Sequence, residues 1–502
     1  MQFSGSLKSR VFAVVILIGA AAQAQNQPAR VLPLNRFPLS RAVQTDANGF
    51  YSMPAAVGDD YFDGNDSPAR VEQHLRIARR AGVKYLRCAF SWNGIEPERG
   101  IYKWEFWDHL VSAAQRNGIE LIPYVAYTPQ WAAAAEQTFW KQPPRDPELY
   151  AHFMYRIAAR YRGRIHSWEL WNEPDNKDYW LGTLDQYAVL VTQAARRVRE
   201  SDPAAVLVLG GMANGPSAFL EQLLTRYGID RYVDVVALHA YPESWGNERA
   251  EIPFQQWIGT VQRMIAADHS GADLWMNEMG YADYRFNSHQ ASLYGTEVFY
   301  RHEHTRAYQA SMLLKFYVMS LASQVVSLAG WYRINDFPHS DKRLGSDLVN
   351  FHLGLLDSAG RVKPDFNALK LYTRLFGGPV RLSPVTVTGA ADSQAVLNVF
   401  ETADRRLIVT GWLRSSRPEE VATKTGVLAD QRSETIAVDL PCTAPSLRDF
   451  YDEQGHRTRE RATLARHTLR NIQLSGSRVF IAELGCADPV HPSTSISGRL
   501  VN

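Results

Sequence analysis

Two hydrophobic rhythms alternate along the chain between residues 48 and 376. Short apolar runs at 84–90, 121–127, 167–171, 206–212, 235–241, 274–276 and 328–334 have the length of buried strands. An earlier run, 50–53, reads as the first strand of the series. Longer segments of helical periodicity separate them. Ser67-Pro68 ahead of Val71, Leu75, Ile77 and Ala78 predicts a capped amphipathic helix with proline at its first position, and 305–324 predicts a long helix. Eight strands alternating with helices predict a (β/α)8 TIM barrel. A doubly wound sheet alternates in the same way, but it carries a glycine-rich first turn, and no GxGxxG occurs. After Phe376-Gly377-Gly378-Pro379 the rhythm changes to short alternating strands at 385–388, 394–400, 407–413, 435–440, 471–475 and 478–484. That pattern predicts a C-terminal antiparallel β-sandwich over 377–486, followed by a loose Ser/Pro/Thr-rich tail, 487–502.

Composition changes this picture little. With 502 residues, 45% hydrophobic and 21% charged, the chain has ordinary globular texture and room for two folded units. The formal charge of +2 is accounted for by Lys8 and Arg10, so the remainder is neutral and not built to hold nucleic acid. Those two residues precede an apolar run, 11–22, too short to span a membrane as a mature helix, and then the small-x-small site Ala22-Gln23-Ala24. Residues 1–24 therefore read as a signal peptide, with a secreted or periplasmic chain beginning at Gln25 and leaving the membrane after cleavage; an uncleaved anchor is the alternative. Residues 25–47 belong clearly to neither domain. In an exported chain Cys442 and Cys486 can pair, leaving Cys88 as a buried thiol.

Most ligand signatures are missing from the sequence. No CxxC, HExxH, P-loop or GxSxG occurs, which removes support for cysteine-bound zinc, zinc proteolysis, ATP use and serine esterase chemistry. The acidic run 59–66 fails the calcium-loop pattern, with Tyr61 at position 3 and Arg70 at position 12, and reads as a solvated loop. Neither a metal nor a cofactor is implied.

The candidate chemistry lies at two strand ends. Trp168-Glu169-Leu170-Trp171-Asn172-Glu173-Pro174 is an apolar strand ending in Asn-Glu and stopped by proline. Active sites of barrels lie at the C-terminal ends of strands, so Glu173 stands where a ligand would lie. Glu169 has the same parity but sits about 13 Å deeper at ~3.3 Å per residue, which suits a buried structural contact. Leu274-Trp275-Met276-Asn277-Glu278 is a second strand ending in glutamate, 105 residues on, about three βα units away. Strands 4 and 7 then present two carboxylates across the mouth, the minimum equipment for splitting a glycosidic bond: one protonated to serve the leaving oxygen, the other ionised to attack or to activate water.

Trp168-Glu-Leu-Trp-Asn-Glu-Pro174 resembles the acid/base motif of clan A glycoside hydrolases, and the likeness continues through Arg87, Ser91-Trp92-Asn93-Gly94-Ile95-Glu96-Pro97, His239-Ala240-Tyr241, Trp331, the run 351–357 and Lys363-Pro364. The Asn-Glu-Pro-Asp-Asn run reaching Tyr179-Trp180, with the appended β-domain, is most similar to family 39, which includes β-xylosidases, α-L-iduronidases and exopolysaccharide endoglycosidases. The resemblance implies retaining cleavage of β-linked poly- or oligosaccharide, with Glu173 as acid/base and Glu278 as nucleophile. It implies that Asn172 bonds the sugar 2-hydroxyl, that Arg87 sits beneath Glu278 and keeps it ionised, and that His239 and Tyr241 reach the same region. Trp331, Trp131 and Trp180 are candidate sugar platforms, with Trp92, Trp140 and Trp245 behind them; packing alone is the alternative for each. A sugar-binding barrel without catalysis and a transglycosylase using the same two glutamates are the competing functions.

Overall fold

In the computed structural model, the residues described run from 45 to 488, apart from 62–63, 65, 214, 242–250, 268–270, 284–304, 338–351, 390–393, 415–429 and 431. The signal segment, residues 25–44, the tail from 489, Trp245 and Phe351 lie outside them. No helix among the described residues is long and apolar enough to cross a membrane.

Eight parallel strands close into a barrel: β1 (Ala55–Asp59), β2 (Tyr85–Ser91), β3 (Glu120–Ala126), β4 (Ser167–Leu170), β5 (Val206–Leu209), β6 (Val235–Ala240), β7 (Asp273–Met279) and β8 (Val326–Tyr332). Closure is made by β1 against β8, Val57 beside Trp331 and Gly58 beside Tyr332. Almost every strand residue is buried, because helices cover the outside and side chains fill the inside. The helix Pro68–Arg80 starts as expected: the Ser67 hydroxyl accepts from the Arg70 amide at 3.2 Å, and Pro68 takes the first turn, where no amide hydrogen is needed. The helix Arg306–Ser323 is apolar around most of its circumference, since the barrel lies on one side and the sandwich on the other.

The run 50–53 is not the first barrel strand. Tyr51 instead bridges Val380 of the sandwich, and β1 begins at Ala55. The barrel's last helix, Pro364–Phe376, leads directly into strand Val380–Ser383, and the C-terminal region forms antiparallel sheets of four and six strands. Cys442 and Cys486 form a disulfide inside the sandwich, and Cys88 is a buried free thiol in β2. Three strands of the six-stranded sheet escape the sequence pattern, Val380–Ser383, Arg457–Thr458 and the longest, Pro445–Tyr451. In Pro445–Tyr451 the first five residues are at least partly exposed and the register slips between Leu447 and Asp449, so its apolar alternation is broken.

The sandwich packs on the barrel through apolar and polar contacts. Phe376 meets Phe400 edge-on, with 5.2 Å between ring centres. The fully buried ammonium of Lys315 donates to Glu251 at 2.8 Å and to the Gly476 carbonyl at 3.1 Å, tying the helices Glu251–Ala267 and Arg306–Ser323 to the sandwich.

Candidate active site

The site is assembled from strand ends around the barrel mouth. β4 stops at Leu170, and the next three residues turn outward. Trp171 (φ 81°) and Glu173 (φ 46°) both lie in the left-handed region, a costly conformation for residues with a Cβ. The turn aims the Glu173 carboxylate into the mouth, where Oε1 lies 2.7 Å from His239 Nδ1 and Oε2 accepts from Asn176 Nδ2 at 3.0 Å. Glu278 comes from β7. Its Oε1 accepts from the Tyr241 hydroxyl at 2.8 Å, and its Oε2 accepts from Arg87 Nη1 at 2.5 Å. His239 in β6 stands between the two glutamates, with Nδ1 3.7 Å from Glu278 Oε1. One oxygen of Glu173 lies within 4.8 Å of one of Glu278.

Arg87 organises the floor. Beyond Glu278 it grips Glu169 with two parallel bonds of 2.8 Å, donates to Asn172 Oδ1 at 2.8 Å, and lies over the Tyr124 ring at 4.4 Å. Glu169 is fully buried and also accepts from the Gly211 amide and from Asn277, both at 2.9 Å, so its charge is matched on every side. It is one guanidinium away from Glu278, closer to the chemistry than its strand position suggests. Asn172 is held at both ends, because its Nδ2 donates to the Tyr127 hydroxyl at 3.1 Å.

These surroundings separate the two carboxyl groups. Burial raises the pKa of Glu173 above the ordinary glutamate value and the neighbouring Glu278 adds to this, outweighing the downward pull of His239 and Asn176. For Glu278 burial pushes upward too, but the charges of His239 and Arg87 and the bonds from Tyr241 and Arg87 win, and its pKa falls below the ordinary value. One glutamate thus favours the acid form and the other the ionised form.

The residues singled out from sequence are distributed unevenly. Arg87, Asn172, His239 and Tyr241 join Glu173 and Glu278, whereas Trp331 and Trp180 do not. Trp331 and Trp180 are fully buried, so neither has a face for a sugar; this corrects their reading as platforms. Trp331 faces the helices, and its neighbour Tyr332 points into the mouth, a one-residue parity that sequence alone left open. Trp180 is packed edge-on against Trp171 and Tyr187. Trp131 is half-buried, with its indole N–H on the Glu96 carbonyl and its ring edge-on to buried Trp92. Half-buried Trp140 packs edge-on against Tyr127 and Tyr179.

The run 59–66 is not a solvated loop throughout. Asp59 ends β1 fully buried and ion-paired to Arg333, and Asp60 is 8% exposed with hydroxyls of Tyr124 and Tyr332 on its oxygens. Asp60, Tyr124, Tyr127, Asn176 and Tyr332 all escaped the sequence reading. Tyr332 finds its room beside Gly58 of β1, where a Cβ would lie 3.0 Å from its ring. Among the described residues a second convergence of acids and histidine, Asp283, Asp336 and His352, surrounds the ammonium of Lys363, 3.3 Å from Asp283 and 3.2 Å from Asp336. Lysine supplies the positive charge there.

A closed parallel barrel with two unlike carboxyl groups facing each other over its mouth has the equipment of a glycoside hydrolase. The family model for "Glycosyl hydrolases family 39" matches residues 62–402, and the chain belongs to that family. Among curated proteins it is 26% identical over 171 residues to Endo-1,4-beta-xylanase 1 of Gibberella zeae, covering 31% of this chain and 47% of that protein. It is 24% identical over 266 residues to Endo-1,4-beta-xylanase A of Fusarium oxysporum f. sp. lycopersici, covering 48% of this chain and 77% of that one. Among solved structures, a family 39 glycoside hydrolase from Bacteroides cellulosilyticus WH2 shares the fold with TM-score 0.63 at 17% identity, over 87% of this chain and 81% of that one. A monomeric beta-xylosidase from Caulobacter crescentus CB15 shares it with TM-score 0.60 at 16% identity, over 89% and 98%.

Proposed function

We propose that this glycosidase cleaves β-glycosidic bonds with retention of configuration, Glu278 serving as nucleophile and Glu173 as acid and then base. The observation that carries this reading is that both carboxylates meet one imidazole nitrogen, His239 Nδ1, at 2.7 Å from Glu173 and 3.7 Å from Glu278, in opposed surroundings. Retaining enzymes hold the pair about 5–5.5 Å apart, and inverting enzymes leave about 6.5–9.5 Å for a water. The opposed pKa shifts support the division of roles.

In the first step Glu278 forms an ester to the anomeric carbon as the bond to the leaving oxygen breaks, and the Glu173 proton passes to that oxygen. In the second, the Glu173 carboxylate takes a proton from water. The water oxygen bonds to the anomeric carbon, the ester breaks, and both carboxyl groups return to their starting states. Arg87 and Tyr241 hold Glu278 in line, and His239 and Asn176 hold Glu173 through both protonation states.

The curated relatives named xylanase make a xylose-containing glycan the first substrate to try. The N-terminal basic residues, apolar run and Ala-x-Ala site support export with cleavage after Ala24. Proton NMR of the first-formed sugar tests the mechanism: a β-anomer released from a β-glycoside is expected, and an α-anomer would overturn it.

A further inference from the structure

The mouth contains a third carboxylate that neither step uses. Asp60 follows the last residue of β1, and its oxygens accept from the Tyr124 hydroxyl at 2.7 Å and the Tyr332 hydroxyl at 2.5 Å. It shares the cleft with the cleaving pair: Tyr332, on Asp60, packs with Tyr241, which donates to Glu278, and the ring of Tyr124, also on Asp60, lies 4.4 Å from the Arg87 guanidinium that reaches Glu278. A carboxylate has about four acceptor positions, and the tyrosines fill one on each oxygen. The tyrosines fix the group's orientation and leave acceptor capacity over.

The geometry of the barrel says what fills it. With the anomeric carbon between Glu173 and Glu278, on the β4–β7 side of the barrel, the ring atoms farthest from it, carbons 3 and 4, would turn to the other side of the mouth, where β1 and β8 close the barrel and Asp60 and Tyr332 stand. We infer that Asp60 is a specificity-determining residue that accepts a hydrogen bond from the 3- or 4-hydroxyl of the sugar being cleaved, so that the site selects a glycone with that hydroxyl free. This inference rests on the reading of Glu173 and Glu278 as the cleaving pair.

The test compares kcat/KM for an aryl β-glycoside, the fastest of a xylo, gluco, manno and galacto panel, with that for its 3-deoxy and 4-deoxy analogues. Wild-type enzyme, Asp60→Ala and Asp60→Asn are assayed, each checked for a cooperative unfolding transition. The wild type is expected to lose about 10- to 100-fold on one deoxy analogue, the range for a hydrogen bond to a charged group. Asp60→Ala loses a similar factor on the parent and no longer distinguishes it from that analogue. Asp60→Asn keeps an acceptor oxygen and falls between, which carries the test if Asp60→Ala does not fold. An unchanged deoxy penalty in both variants overturns the inference while leaving the cleaving pair intact. Failure of the wild type to cleave any aryl glycoside overturns both.

Discussion

Arg87 reaches Glu278 at 2.5 Å with one guanidinium nitrogen while its other two nitrogens are bound to Glu169. A buried cation is thereby shared between a carboxylate that never leaves its partners and one that faces substrate. Glu169 neutralises and locates the arginine, and the arginine keeps Glu278 ionised. Glu169→Gln would leave the buried guanidinium short of charge, with an expected loss of about 3–5 kcal/mol of stability. Urea denaturation measures it, and a loss below about 1 kcal/mol would show that the floor can relax.

The opposed pKa shifts set the pH profile. Glu278 must be ionised and its pKa lies below the ordinary 4.5, so kcat/KM falls only as pH drops through that lowered value. Glu173 must be protonated and its pKa lies above 4.5, so kcat/KM falls as pH rises through the raised one. The optimum lies between the two. Tyr241→Phe removes one of the bonds that hold Glu278 down, and is expected to move the acid limb to higher pH with little movement of the basic limb.

Glu173→Gln should fold normally and retain more activity on substrates with good leaving groups than on poor ones, because good leaving groups need little proton donation. General acid catalysis contributes about 10²–10⁴-fold, which bounds the difference. Equal losses across a leaving-group series would count against the role given to Glu173.

Gly211→Ala tests the positioning of His239 without replacing either glutamate, although the Gly211 carbonyl also accepts from the Glu173 amide at 3.1 Å. A Cβ on Gly211 would lie 2.1 Å from His239 Nε2, and the imidazole is fully buried with no room to retreat. Displacing it separates Nδ1 from Glu173, and kcat is expected to fall about 10²-fold with the basic limb of the pH profile shifted. An unchanged basic limb would assign His239 to packing.

Removal of the Cys442–Cys486 disulfide by a double alanine substitution should destabilise the sandwich by about 2–4 kcal/mol and leave kcat unchanged, since both cysteines lie in the sandwich core. Denaturation of oxidised wild type against the variant measures the difference.

Much of the architecture was legible because buried parallel strands are continuous apolar runs that periodicity detects directly. The two glutamates that meet at the mouth were legible because Glu173 and Glu278 close such runs. What sequence could not supply was facing. Trp331 and Tyr332 are adjacent aromatic residues in β8, and only the register of β8 on β1 decides which enters the mouth. Asp60 was hidden for a related reason: an acidic run reads as solvated unless the tyrosines that meet it, Tyr124 and Tyr332, are known to converge from β3 and β8. Arg87 and Glu169, far apart in sequence, become one ion-pair floor only when β2 and β4 face each other inside the barrel.

The central assignment is tested most directly by intact-protein mass after incubation with 2-fluoro-glycosyl reagents carrying activated leaving groups, followed by peptide mapping. A stable adduct of one glycosyl unit on the peptide bearing Glu278, absent in Glu278→Gln, is the predicted result, and the reagent that labels names the sugar. An adduct on the peptide bearing Glu173 instead, or labelling that persists in Glu278→Gln, would contradict the assignment.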